Sequence, residues 1–166
     1  MFFEASKDLQ TLIANDSKQL YLECEHIQPH SIDDLPAIVK ANGDKEWYKD
    51  GKLHRDGDKP AIVYANGDRC WYKDGERHRD NDKPAIKYAN GDKEWYKEDK
   101  LHRDDDKPAQ EWSDRDKFWY KEGQLHRDDD KPAIVYANGT KEWYKEGQLH
   151  RDPDVAYPLY TIPCLH

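Results

Sequence analysis

Apolar and polar residues alternate along most of this chain in short runs broken by turn residues. A representative stretch reads Pro60-Ala61-Ile62-Val63-Tyr64-Ala65, then Asn66-Gly67, then Asp68-Arg69-Cys70-Trp71-Tyr72-Lys73, then Asp74-Gly75, and closes on His78-Arg79-Asp80. Asn-Gly and Asp-Gly supply the positive φ angles that tight hairpins need. Two such turns imply two strands. Between them, the alternation from Arg69 to Lys73 sends Trp71 to one face of a sheet and Tyr72 to the other. The return strand runs from about Leu101 or its equivalent, through His-Arg-Asp, to the Pro-Ala-Ile-Val-Tyr-Ala run, which is long for one strand. Its Asp-x-Asp-Lys-Pro middle holds a proline that cannot donate to a ladder, so a bulge, a sharp bend or a third turn is expected there. Gly, Pro, β-branched and aromatic residues recur too often to leave a window of helical length. The predicted class is all-β.

The pattern repeats. Pro36, Pro60, Pro84, Pro108 and Pro132 lie 24 residues apart without slippage, and Trp47, Trp71, Trp95, Trp119 and Trp143 keep step, as do His54, His78, His102, His126 and His150. A constant period in the range of about 20 to 50 residues marks stacked supersecondary units, each stabilised by its neighbours rather than by one central core. Residues 36–152 therefore read as five β-hairpin repeats in an elongated antiparallel meander. At about 4.8 Å per strand, two strands advance about 10 Å per unit. Residues 1–35 read as an N-terminal cap. Phe2, Phe3, Leu9, Leu12 and Ile13 suit a short amphipathic helix, Gln19 to Glu25 suit a capping strand, and His30 falls in register with the His column of a decayed first unit. Residues 153–166 replace the charged repeat by an apolar, proline-broken capping tail. The fourth unit departs from pattern, with Gln110, Glu111, Trp112, Ser113, Asp114 and Arg115 where most others have Ile, Val, Tyr, Ala, Asn and Gly. Loss of the Gly predicts a looser turn at 114–116, through drift or as a specialised contact.

Tyr48-Lys49-Asp50-Gly51-Lys52-Leu53-His54, followed by an Asn-Gly turn in the next unit, resembles the aromatic-x-x-Gly-x-x-His core of MORN-type repeats, in their diverged variant form. The resemblance covers roughly Pro36 to Asp152. The sequence departs from it in two columns: the family's Gly after the His is Arg55, Arg79, Arg103, Arg127 or Arg151, and its Gly two places before the aromatic is Glu46, Cys70, Glu94, Phe118 or Glu142. The resemblance implies an elongated β-meander used for scaffolding and protein contacts, of a kind found in bacterial, phage and giant-virus proteins.

Composition narrows the partners. Only 36% of residues are hydrophobic, which suits a thin stack better than a thick core. The formal charge of −8 comes from 27 basic and 35 acidic residues, and the bases are interleaved with acids along the chain. That argues against nucleic acid and against docking on an anionic membrane, and reads as a solvated, salt-bridged surface. Cys24, Cys70 and Cys164 are odd in number and sit at unrelated repeat positions, so neither a disulfide framework nor a zinc knuckle is indicated. The N-terminus turns charged before any apolar run of signal-peptide length. The expectation is a soluble intracellular protein, in a host cytoplasm or a virion if viral.

Equivalent histidines about 10 Å apart cannot share one metal ion, so His54, His78, His102, His126 and His150 read as a structural ladder bonded to neighbouring backbone or carboxylate. The acidic loops at 80–82, 104–106 and 128–130 read as turn chemistry, with calcium as the lesser alternative. No cofactor and no catalytic constellation is indicated. Trp47, Trp71, Trp95, Trp119 and Trp143, with Trp112, are the candidate partner-binding residues, on the expectation that one aromatic column is buried and another half exposed. The leading reading is a non-enzymatic structural or protein-interaction module, self-associating or contacting a protein partner in a larger assembly such as a virus particle. The alternative is a cytoplasmic antitoxin or immunity-like binder.

Overall fold

The computed structural model describes residues 28–150, and the predicted terminal helix, capping strand and apolar tail lie outside them. Among the described residues there is no helix, and twenty strands of two residues each follow one another in antiparallel hairpins. Each unit contributes four strands rather than the two expected. In the second unit Ile62–Val63 and Arg69–Cys70 join a long sheet, whereas Tyr72–Lys73 and Glu76–Arg77 form a side hairpin. Repetition yields one ten-stranded sheet and five two-stranded hairpins beside it. The strand expected from Arg69 to Lys73 is divided at Trp71. Its N–H donates to the Ala85 carbonyl of the next unit, and its own carbonyl accepts from His78 N–H, so one residue serves both layers.

All three turns of a unit use left-handed backbone. In the long sheet, Gly67 at φ 97° follows the Ala65-Asn66 turn and closes a bond from its N–H to the Tyr64 carbonyl. The side hairpin turns on Asp74 and Gly75, at φ 53° and 95°. The proline-containing return resolves into a third turn, with Asn81 and Asp82 at φ 62° and 53°, which Asn and Asp tolerate better than other side-chain-bearing residues. The looser turn expected in the fourth unit does not occur. Arg115 takes the glycine position at φ 83°, and its N–H reaches the Trp112 carbonyl at 2.9 Å.

Register sorts the side chains of the long sheet into two rows. Glu46, Ile62, Cys70 and Ile86 are successive partners on the inner face, and Lys45, Val63, Arg69 and Lys87 are successive partners on the outer one. Ile62, Cys70 and Ile86 form the buried centre, against which Leu53, Tyr72 and Tyr96 of the side hairpins pack. The core is therefore a thin seam between two layers, in keeping with the low apolar content. Ala61, Ala85, Ala109 and Ala133 are 0% exposed, and each accepts a backbone bond from the preceding unit's Trp. Units are also tied by carboxylates. Asp44, Asp68, Asp92 and Asp116 accept the backbone N–H of Ala65, Ala89, Ser113 and Ala137 of the following unit, and Thr140 occupies that position in the fifth.

Arg115→Gly should stabilise the protein by about 1 kcal/mol, because glycine removes the cost of a left-handed side-chain-bearing residue. Thermal denaturation of the purified variant measures it, with a raised midpoint as the expected result.

Candidate functional site

The His column is placed as the sequence predicted. His54 Nδ1 accepts the Asp74 N–H of the next unit at 3.0 Å, which puts the ring proton on Nε2, from which it donates to Asp56 at 3.0 Å. His102 and His126 accept from Glu122 and Glu146 in the same way and donate to Asp104 and Asp128. His78 donates to Asp80, and His150 is exposed in the last described unit. Both nitrogens of His54, His102 and His126 are thus occupied by structural bonds.

The Trp residues, candidate partner contacts in the sequence, form the covered one of the aromatic columns. Trp47, Trp71, Trp95 and Trp119 are between 5% and 8% exposed, and Trp143 is half-buried. Trp71 lies on the outer face under Arg79, whose guanidinium carbon is 3.8 Å from the ring centroid, and Lys87 stands near the same ring. The Trp71 indole N–H donates to the Asp58 carbonyl of the preceding unit at 3.0 Å. Arg79 simultaneously grips the Asp58 carboxylate through Nε and Nη2, at 2.6 and 3.1 Å, and Lys83 reaches the same carboxylate. Arg55, Arg103 and Arg127 repeat this clamp on Asp34, Asp82 and Asp106. The covering Arg comes from the column where the MORN-like pattern has Gly, which is why the pattern gave no warning that the Trp is covered. The guanidinium of each pair holds its Asp carboxyl low, to about 2 at Asp82 and Asp106.

A different column is exposed. Tyr64, Tyr88 and Trp112 occupy one repeat position and are 37%, 36% and 46% exposed, and Tyr136 follows in the fifth unit. By alternation from Ile62 and Ile86 they lie on the inner face, beside the buried seam. Phe118 bridges two of them, with ring centroids 5.9 Å from Trp112 and 6.1 Å from Tyr136. Of the residues proposed from the sequence, only Trp112 belongs to this column. The same 24-residue spacing carried the signal, hidden because the first unit has Lys40 there. Between this column and the hairpins, the Tyr48, Tyr96 and Tyr144 hydroxyls donate to Glu46, Glu94 and Glu142. Burial and the adjacent carboxylate push Tyr48 up to about 12.

Shallow clefts recur between units on the His-Arg-Asp side. One of about 200 Å³ is lined by His54, Arg55, Trp71, Lys73, His78 and Asp80. These are smaller than small-molecule pockets of about 300 to 1,000 Å³, and their polar groups already serve the clamps. Among the described residues no three His, Cys, Asp or Glu side chains gather as metal ligands, and the acidic-loop carboxylates Asp105 and Asp129 contact Lys107 and Lys131. No helix among them is long and apolar enough to cross a membrane. Compared with known proteins, the chain matches no family model and no curated protein.

Two outcomes test this arrangement. Trp95→Ala should cost about 3 to 5 kcal/mol, whereas Trp112→Ala should shift the denaturation midpoint little, since only the first empties a buried site. Because the clamp carboxyls titrate lower in the folded chain than in the unfolded one, their contribution is fully present above about pH 4 and is lost as pH falls toward 2. Melting curves across that range should show a falling midpoint, with a smaller acid-induced fall in Asp82→Asn.

Proposed function

We propose that this protein is a non-enzymatic, MORN-like repeat scaffold that binds protein through its inner aromatic column and serves as a building block of a larger assembly. The observation that carries the reading is the exposure of Tyr64, Tyr88 and Trp112, one ring from each of three successive units, in a chain whose other ring columns are more covered. Tyr and Trp are the side chains that protein interfaces use as anchors, and a column repeating about every 10 Å offers several anchors on one rigid support. The carboxylates beside it, Glu46 and Glu94, are engaged by Tyr hydroxyls and add polar partners at the margin. The His residues and the clamping Arg and Asp pairs are occupied in holding units together, so on the inner face the rings are the groups left to face a partner.

Light scattering over a concentration series, and affinity purification from the native source, test this reading together. Either self-association or a stoichiometric protein partner is expected, and Tyr88→Ala with Trp112→Ala should abolish it while leaving the melting midpoint nearly unchanged. A chain that stays monomeric and retains no partner, or an association indifferent to both substitutions, would overturn it.

A further inference from the structure

Along the sequence the basic residues are interleaved with acids, yet strand register gathers six of them. Lys45, Arg69, Lys87, Lys93, Lys117 and Lys141 all fall in the outer row of the ten-stranded sheet, and all are exposed. Among the described residues none of the six has a carboxylate within ion-pair distance. Arg69, Lys87 and Lys93 are consecutive cross-strand partners, so three like charges stand side by side. Such pairs are destabilising unless an anion covers them. Burial lowers the Lys87 ammonium pKa, and the Arg79, Lys93 and Arg69 charges lower it further. The neighbouring clamps do not neutralise the row, since each of Asp34, Asp58, Asp82 and Asp106 is shared by one Arg and one Lys. On a chain of net charge −8, this face is a local reversal of sign.

The row also contains a carboxylate of its own. Glu111 replaces the valine of Val63 and Val135, and Arg103 Nη1 donates to it at 2.9 Å. A carboxylate presented to this face is therefore met by a cation. Where no charge intervenes, Val63 and Val135 place partly buried aliphatic groups between the cations. Lys45, Arg69, Lys93, Lys117 and Lys141 recur on every second strand, about 10 Å apart, which is close to two turns of an α-helix at about 11 Å.

We propose that the outer row is the docking surface for an acidic amphipathic helix of a partner protein, with Glu or Asp recurring along one face and aliphatic side chains between. This rests on the protein-binding reading above but uses the opposite face of the sheet. Nucleic acid fits less well: one arginine among six cations gives little bidentate phosphate recognition, and the row itself contains no aromatic ring for bases to stack on. Lysines, which act as point charges on flexible stems, suit carboxylates distributed along a helix.

Fluorescence anisotropy on the full chain tests it, with a labelled helical peptide of about twenty residues carrying Glu and Leu on one face, its Gln counterpart, and an oligothymidylate of similar charge. The Glu peptide should bind, more weakly as salt rises, and the Gln peptide should not. Arg69→Gln with Lys87→Gln and Lys93→Gln should weaken the Glu peptide about tenfold or more at a melting midpoint that does not fall, and Lys73→Gln in a side hairpin should not weaken it. No binding of the Glu peptide, equal binding of the Gln peptide, or tighter binding of the oligonucleotide would overturn the proposal. Because Tyr88→Ala and Trp112→Ala leave this row intact, they should leave peptide affinity unchanged, so the two surfaces fail or succeed separately.

Discussion

The joints closed by Arg55, Arg79, Arg103 and Arg127 each turn on one guanidinium. Arg79 lies over the indole of its own unit while its fork holds the carboxylate of the unit before, and that unit's backbone carbonyl accepts the indole N–H. Three features must coincide for this to work: a planar cation that stacks and chelates at once, a ring with a donor at its edge, and an acid tolerant of left-handed backbone. Lysine could not replace the first, because an ammonium has neither the plane nor the fork. Asp58 meets the third at φ 57°. Stacking and chelation in one residue explain how a chain with so little apolar content keeps its tryptophans dry.

Much of this architecture was legible in the sequence. The period, the turn residues and the alternation around Trp71 gave the all-β class, the antiparallel meander and the hairpin repeats, since all three signals are local. The imidazole bonds to backbone and carboxylate were likewise inferable, because a residue used identically in every unit belongs to the unit. What local pattern could not supply was the corner at Trp71, where N–H and carbonyl serve different layers and one expected strand becomes two. Nor could it show which ring column is covered, because the cover arrives from an arginine eight positions away in sequence. The fourth unit is instructive in the other direction. Its missing glycine suggested a loosened turn, but neighbouring units hold the ladder on both sides, and Arg115 adopts the strained conformation instead.

Register also changes what charge means in such a chain. Counting residues in order shows acids and bases mixed, and the mixture suggests a surface without character. Side chains on a pleated sheet answer to their cross-strand partners, and Lys87 meets Lys93 across one turn and Arg69 across a longer, acid-containing stretch of sequence. The structure is therefore two-sided: exposed rings and tyrosine-bonded carboxylates line the inner face, and a row rich in cations lines the outer, beside tryptophans covered by arginine.

Most of the carboxylate links between units run the same way, the exceptions being Asp99 and Glu122, which accept from Arg77 and Lys100 of the unit before. Asp44, Asp68, Asp92 and Asp116 receive a proton donor from the following unit, as do the imidazoles of His54, His102 and His126 and the clamp acids. In these links a unit offers acceptors to its successor, whereas the Trp N–H bonds to Ala61, Ala85, Ala109 and Ala133 run the other way, so the two sides of a unit carry different sets of groups. Because the two sides differ, only a head-to-tail joint reproduces the internal interface. With Thr140 in place of the aspartate, a unit stacked on the fifth would forgo the carboxylate link that the first four make to their successors.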